Sequence, residues 1–188
     1  VALNGVNQYA VLHVGASNPK KFWRGANWAA LAQKITDTGV KVVWSAGKNE
    51  FHLLNDCGVT AGHINLAGKL DLGQMWHLLN NAAFLVAPDT GIAHLARLTQ
   101  TPAVTLFGPG PTMLYAETDL LAHQSAFHPL VLSELPERYQ TSLFKRPLNW
   151  LQNYQAFGGL MAKNAENGTG FDAVWDKVSS LQLRKQNA

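Results

Sequence analysis

Cysteine is nearly absent from this chain: Cys57 stands alone among 188 residues. One thiol closes no internal disulfide, so the fold cannot rest on a disulfide framework, and a reducing compartment is permitted. Charge is also scarce. Acidic and basic residues make up 14% of the chain against 47% hydrophobic ones, which excludes a disordered chain. The formal charge is only +3, and its Lys and Arg residues are scattered. That balance suits a phosphorylated small ligand and gives no support to a nucleic-acid partner. No apolar run approaches the ~20 residues that cross a bilayer. Neither a Gly-x-x-x-x-Gly-Lys-Ser/Thr loop nor a Gly-x-Gly-x-x-Gly run occurs, so P-loop and NAD-type chemistry lack support. Without a Gly-x-Ser-x-Gly elbow around Ser17 or Ser45, a hydrolase triad is not expected. The seven histidines (His13, His52, His63, His77, His94, His123 and His128) show no ligand-type spacing, so no metal and no cofactor are expected. Cys57 reads as a packed helix residue, not a nucleophile.

What is present is a regular alternation of short apolar runs and amphipathic stretches. Residues 9–14 read as a buried strand. Trp28, Leu31, Ala32 and Ile35 fall at i, i+3, i+4 and i+7 of a helix that Gly39 ends. Val40–Trp44 is a second strand, and a helix around 50–56 closes at Gly58. Residues 64–66 form a short third strand. Leu72, Met75, Trp76 and Leu79 mark a further helical stripe. A strand at 83–87, a helix at 90–98 and a strand at 103–107 complete the series. Repeated βα units of this length predict an α/β fold, a Rossmann-like parallel sheet with helices on both faces. Residues 116–169 are rich in proline and aromatics and lack periodicity. They read as an irregular insertion, with a strand at 130–132 as the one element suggested. Phe171, Val174, Val178 and Leu181 give a final amphipathic helix. The expected organisation is a single domain over 1–188, with its core in 9–115 and 170–183. The chain starts at Val1 and soon enters an apolar strand, which suggests a segment of a longer polypeptide.

In such sheets ligands bind beyond the carboxyl ends of the strands, and the polar motifs sit there. Pro88-Asp89-Thr90-Gly91-Ile92-Ala93-His94 joins a buried strand to a helix start. A first helical turn exposes unpaired N–H groups and partial positive charge, a natural seat for phosphate. Thr90 offers a hydroxyl, Gly91 close backbone approach, and His94 a further donor. An ordinary N-cap turn, with Asp89 or Thr90 capping, is the plainer reading. After the first strand, Gly15-Ala16-Ser17-Asn18-Pro19-Lys20-Lys21 supplies a hydroxyl and two cations, or merely a solvated loop. After the second, Ser45-Ala46-Gly47-Lys48-Asn49-Glu50 supplies a carboxylate able to accept ribose hydroxyls, or a helix cap. A cation, a ribose-type acceptor and a helix N-terminus together describe a nucleoside diphosphate.

The segments Leu66-Ala67-Gly68-Lys69-Leu70-Asp71-Leu72, Asp89-Thr90-Gly91-Ile92-Ala93-His94-Leu95 and Thr101-Pro102-Ala103-Val104-Thr105-Leu106-Phe107-Gly108-Pro109 resemble the ADP-heptose:lipopolysaccharide heptosyltransferases. These form glycosyltransferase family 9, of the two-domain GT-B fold. His13-Val14-Gly15-Ala16-Ser17, Lys21-Phe22-Trp23 and Trp28 resemble the first loop of the family's C-terminal domain. The likeness covers about residues 9–115. It departs from the family at Ala16, where a hydroxyl residue is common, and at Gly110-Pro111, which enlarges a turn.

The resemblance implies the C-terminal, donor-binding half of a GT-B enzyme. It also implies an N-terminal acceptor domain outside this chain. Thr90, Gly91 and His94 would hold the diphosphate, with Ser17 and Lys21 on the phosphates. Asp89 would contact the donor sugar and Glu50 the ribose, Asn49 being one residue away. Leu72 and Met75 fall near the base or, more simply, in the core. The implied activity is an inverting, metal-independent transfer of heptose from ADP-heptose to the lipopolysaccharide inner core. Its general base would be a carboxylate of the N-terminal domain, so this chain is expected to carry no catalytic base and to be inactive alone. The alternatives are another GT-B nucleotide-sugar transferase or epimerase, or a catalytically silent nucleotide-binding module. The expected partners are the nucleotide-sugar donor and, through the N-terminal domain, the lipopolysaccharide acceptor. The implied setting is the cytoplasm of a Gram-negative bacterium. Arg138, Tyr139, Lys145, Arg146 and Trp150 are compatible with a peripheral contact at its inner membrane.

Overall fold

Tyr9-Ala10-Val11-Leu12-His13 forms strand β1, and all five residues are buried. Burial on both faces marks a central strand of a covered parallel sheet. The computed structural model describes residues 3, 6, 8–107, 127–131 and 171–186. Around β1 it assembles β2 (Lys41–Ser45), β3 (Ile64–Asn65), β4 (Phe84–Pro88), β5 (Ala103–Phe107) and β6 (Phe127–Val131). All neighbours pair in parallel, in the order β3-β2-β1-β4-β5-β6. The chain winds outward from β1 to β3, crosses back to β4 and winds the other way. The strand order therefore reverses between β1 and β4, which opens a crevice at their carboxyl ends.

Among the described residues, four α-helices cover the sheet: α1 (Gly25–Asp37), α2 (Leu72–Asn80), α3 (Gly91–Leu98) and α4 (Phe171–Gln186). Alternate strand residues divide the core in two. Ala10, Leu12, Val42, Trp44, Phe84 and Val86 meet Trp28, Leu31, Ala32 and Ile35 of α1 and Val174, Val178 and Leu181 of α4. On the opposite face Tyr9, Val11, Val43, Leu85 and Ala87 meet Met75, Leu78 and Leu79 of α2 and Ala93, Leu95 and Ala96 of α3. Removing a side chain such as Leu79, fully buried here, costs about 2–5 kcal/mol.

The α1 stripe is the one its periodicity predicts, and Gly39 leaves it at φ +83°, a conformation that a Cβ disfavours. Elsewhere the structure corrects the expectation. The buried face of α2 is Met75, Leu78 and Leu79. Leu72 is 69% and Trp76 40% exposed, because Leu72 occupies the first helical position, where it overhangs the core. The segment after β2 is a 3₁₀ helix over Phe51–Asp56, not an α-helix. The sixth strand lies within the span expected to be an irregular insertion, and it runs over Phe127–Val131 instead of 130–132. Pro129 sits inside it; β6 is the edge strand, where a missing N–H is tolerated. Gly108–Pro111, Leu132 and the basic and aromatic residues of 138–154 lie outside the described residues.

Candidate functional site

Lys21 ends a 3₁₀ turn, Pro19–Lys21, that follows β1. The N–H groups of Lys21 and Phe22 donate to the carbonyls of Asn18 and Pro19. This turn aims Lys21 across the crevice at the end of β4. Its Nζ donates to Asp89 Oδ2 at 2.7 Å and to the Asp89 carbonyl at 2.9 Å. Asp89 is 4% exposed, and its own N–H donates to the Leu106 carbonyl of β5 at 3.0 Å. An ammonium has three donors. Two are spent on Asp89, which fixes the charge and leaves one donor over.

Thr90 then occupies the N-cap of α3 with extended backbone, φ −146° and ψ 170°. Its carbonyl accepts from the N–H groups of Ala93 and His94. Its hydroxyl makes no cap bond, and Oγ1 is buried without a partner. A buried unpaired hydroxyl costs about 1–3 kcal/mol, so a ligand oxygen has something to gain here. A Cβ built on Gly91 would meet no atom within 4 Å, so a ligand can approach this backbone. The N–H groups of Gly91 and Ile92 bond to no described acceptor. His94 Nε2 stands 3.9 Å from Asp89 Oδ1 with its side chain half-exposed.

Glu50 lies across the same edge. Its Oε2 accepts the Gly47 N–H at 2.8 Å. A Cβ on Gly15 would overlap that carboxylate, and one on Gly47 would stand 2.6 Å from Oε2. A side chain at either position would displace the Glu50 carboxylate from where it stands. Glu50 thus bridges the loops leaving β1 and β2. It holds the N-cap position of the 3₁₀ helix but makes no side-chain cap bond, so its carboxylate is not a helix cap. Ser17 is exposed on the loop after β1.

The seven expected site residues are therefore grouped unevenly. Lys21, Asp89, Thr90, Gly91 and His94 form one cluster at the β1–β4 crevice. Glu50 stands on the adjoining β1–β2 side, and Ser17 is carried by the connecting loop. The carboxylate expected on a donor sugar is instead paired with Lys21. Sequence reasoning missed a buried pair beneath them: His13 Nδ1 and Ser45 Oγ stand 2.9 Å apart at the last positions of β1 and β2. Burial pushes the His13 pKa down to about 4, which keeps the ring neutral. Cys57 is buried, its thiol donates to the Leu53 carbonyl, and burial with nearby Asp56 pushes its pKa up to about 11. That is a packed, inert thiol. Among the described residues no three His, Cys, Asp or Glu side chains gather as a metal site, and no helix is long and apolar enough to cross a membrane.

A parallel sheet whose strand order reverses, with polar residues gathered at the carboxyl-end crevice, defines a class: the doubly wound α/β domains, in which ligands bind at the switch point. Residues 2–145 match the model of glycosyltransferase family 9 (heptosyltransferase), and the chain belongs to that family. It is 35% identical over 106 residues to lipopolysaccharide heptosyltransferase 1 of Pseudomonas aeruginosa, covering 54% of this chain and 29% of the relative. With its Salmonella typhimurium counterpart it shares 29% identity over 103 residues, 54% of this chain and 32% of the relative. The chain thus spans about a third of the length of these curated relatives. The fold matches the structure of E. coli ADP-heptose lps heptosyltransferase II over 98% of this chain and 49% of that one, with TM-score 0.66 and 20% identity. It also matches E. coli heptosyltransferase WaaC with ADP over 60% of this chain and 35% of that one, with TM-score 0.54 and 25% identity. The architecture is the Rossmann-like α/β fold, and its structural neighbours are GT-B heptosyltransferases.

Proposed function

We propose that this chain is the donor-nucleotide-binding domain of a heptosyltransferase and that it holds ADP-heptose by its diphosphate at the β1–β4 crevice. The observation that carries the reading is the start of α3: a buried unpartnered Thr90 hydroxyl, open space at Gly91, and the Lys21 ammonium anchored 2.9 Å from the Asp89 carbonyl. The Lys21 charge is paired with Asp89, and beside it the Thr90 hydroxyl and the N–H groups of Gly91 and Ile92 bond to no acceptor among the described residues. The relatives named for lipopolysaccharide heptose transfer, and one solved with ADP, support the same ligand.

In this reading Lys21 and the Gly91 and Ile92 N–H groups take the phosphates, with Thr90, Ser17 and His94 as further donors. Glu50 accepts from the ribose hydroxyls. Asp89 acts on the donor mainly through Lys21, whose charge it fixes. An acceptor hydroxyl oxygen forms a bond to the anomeric carbon from the side opposite the diphosphate, inverting it. The bond from that carbon to the diphosphate oxygen breaks, and its electron pair leaves with ADP. Negative charge grows on the phosphate oxygens as it does so. Donors fixed in advance at those oxygens lower the barrier without reorganising, and each well-placed one is worth on the order of 3 kcal/mol. Positive charge comes from Lys21 and the helix end, so the transfer is metal-independent and needs no cofactor. The acceptor's proton goes to a carboxylate on an N-terminal domain, which also binds the lipopolysaccharide core in the cytoplasm, at the inner membrane. This chain alone therefore binds nucleotide without transferring sugar.

Calorimetry with ADP, UDP and GDP on the 188-residue chain, alongside an assay for heptose transfer, tests this reading. Saturable binding with a preference for ADP and no turnover is expected. Equal binding of the three nucleotides argues for a different nucleotide-sugar enzyme. No binding argues for a silent module. Turnover by the chain alone refutes the division of labour.

A further inference from the structure

We infer that the His13–Ser45 pair is a positioning device that sets Glu50 for its ligand hydroxyls by locking the ends of β1 and β2 together. The inference rests on the proposed ribose role of Glu50 and extends it to two residues beneath the site. His13 and Ser45 are register partners, the last ladder pair of β1 and β2. Beyond them the strands diverge into two loops. The Val14 N–H still donates to the Ser45 carbonyl at 3.1 Å, and after it no backbone bond joins Gly15 to Ala46 or Gly47. The Glu50 carboxylate bridges the two loops: it takes the Gly47 N–H and lies against Gly15.

The carboxylate lies close to both glycines, and a Cβ on either one would push it out of this position. A small divergence of the two strand ends therefore moves one wall of the Glu50 seat against the other. The imidazole–hydroxyl bond is the last side-chain link before that divergence. Both partners are buried, Ser45 fully, so water does not compete for the bond, and a hydrogen bond in such surroundings is stiff. Burial also holds the imidazole neutral, so the ring keeps one donor and one acceptor and can serve Ser45 in either sense. Val14 on the other face of β1 is packed in the α1 core, which fixes the strand end from below and leaves the His13–Ser45 bond to fix its upper face.

The test separates positioning from mere stability through a hydroxyl-specific readout. ADP and 2′-deoxy-ADP are titrated into the 188-residue chain, and into its Ser45→Ala, His13→Leu, His13→Asn and Glu50→Ala variants, with melting temperatures recorded for each. The parent chain is expected to prefer ADP by about tenfold, the scale of a hydrogen bond to a carboxylate. Glu50→Ala removes the preference. Ser45→Ala, the smaller cut and the safer fold, reduces it to about twofold or less, as does His13→Leu. His13→Asn, whose amide can reach Ser45, restores most of it even if its melting temperature stays low. If Glu50→Ala loses the preference while Ser45→Ala keeps it, the inference is overturned and the ribose reading stands. If Glu50→Ala keeps it, or the parent binds no ADP, the ribose reading falls and this inference with it.

Discussion

The helices α2 and α3 begin in opposite ways. At α2 the chain closes its own amino end: Asp71 Oδ1 accepts the Gln74 N–H at 2.7 Å, and Gln74 Oε1 accepts the Asp71 N–H at 3.0 Å. At α3 the N-cap hydroxyl bonds nothing and the first turn faces open space. Both sequences place a polar residue before a glycine-containing first turn, and either would pass as a capping signal. The difference lies in what stands opposite. The α2 start is on the surface, where a capping box adds stability. The α3 start lies at the strand-order switch, opposite Lys21, where free donors would add ligand affinity under the proposed function.

Variants can break this contrast. The largest effect is expected at Lys21. Lys21→Ala removes the ammonium bonded to Asp89 and leaves that carboxylate buried. A loss of about a hundredfold or more in ADP affinity is expected by calorimetry, with a destabilisation of up to 3–5 kcal/mol in chemical denaturation. Lys21→Ala with unchanged ADP affinity would remove α3 from consideration as a phosphate seat.

A pH titration of stability probes the floor beneath the site. His13 has a folded pKa of about 4, against an ordinary 6.5. The unfolded chain therefore binds the extra proton first. The stabilisation is present above pH 6.5 and is lost as pH falls from 6.5 to 4, by roughly 3 kcal/mol. His63 adds in the same sense. Its Nδ1 accepts from the Trp44 indole N–H and the Thr60 N–H, and burial with nearby Lys41 lowers its pKa. Urea midpoints measured between pH 7 and pH 4 should drop steeply in the parent and more gently in His13→Asn. Equal slopes would mean that His13 titrates normally.

The crossed pair Asp71→Ala and Thr90→Ala sharpens the contrast at smaller scale. Asp71→Ala should cost about 1 kcal/mol of stability and leave ADP affinity alone. Thr90→Ala should raise stability by about 1 kcal/mol, since it removes a buried hydroxyl that bonds nothing, and weaken ADP by about tenfold. Smallest of all, Gly91→Ala meets no atom in the protein. It should raise stability by several tenths of a kcal/mol through helix propensity while weakening ADP binding. The same outcome for both members of the crossed pair would erase the distinction between the two helix starts.

Much of this was legible in the residues. Trp28, Leu31, Ala32 and Ile35 keep strict helical spacing on an α1 that packs along its whole length, so periodicity located it. The Asp89–His94 turn was legible because strand, turn and helix start are contiguous. What stayed hidden depends on neighbours across the sheet. His13 and Ser45 are 32 residues apart, and only the parallel register joins them. The Lys21–Asp89 pair spans 68 residues; each residue was named, but their union was not. Leu72 and Trp76 lie off the stripe because the buried face of α2 runs through Met75, Leu78 and Leu79, with Leu72 in the first turn and Trp76 on the flank of that face. β6 was displaced because Pro129 argues against a strand until that strand is known to be an edge.

The most direct test is a crystal structure of this chain with ADP. The account places the diphosphate oxygens within hydrogen-bond distance of the Gly91 and Ile92 N–H groups, the Thr90 hydroxyl and Lys21 Nζ. ADP bound elsewhere, with the α3 start vacant and Lys21 still committed to Asp89 alone, would contradict it.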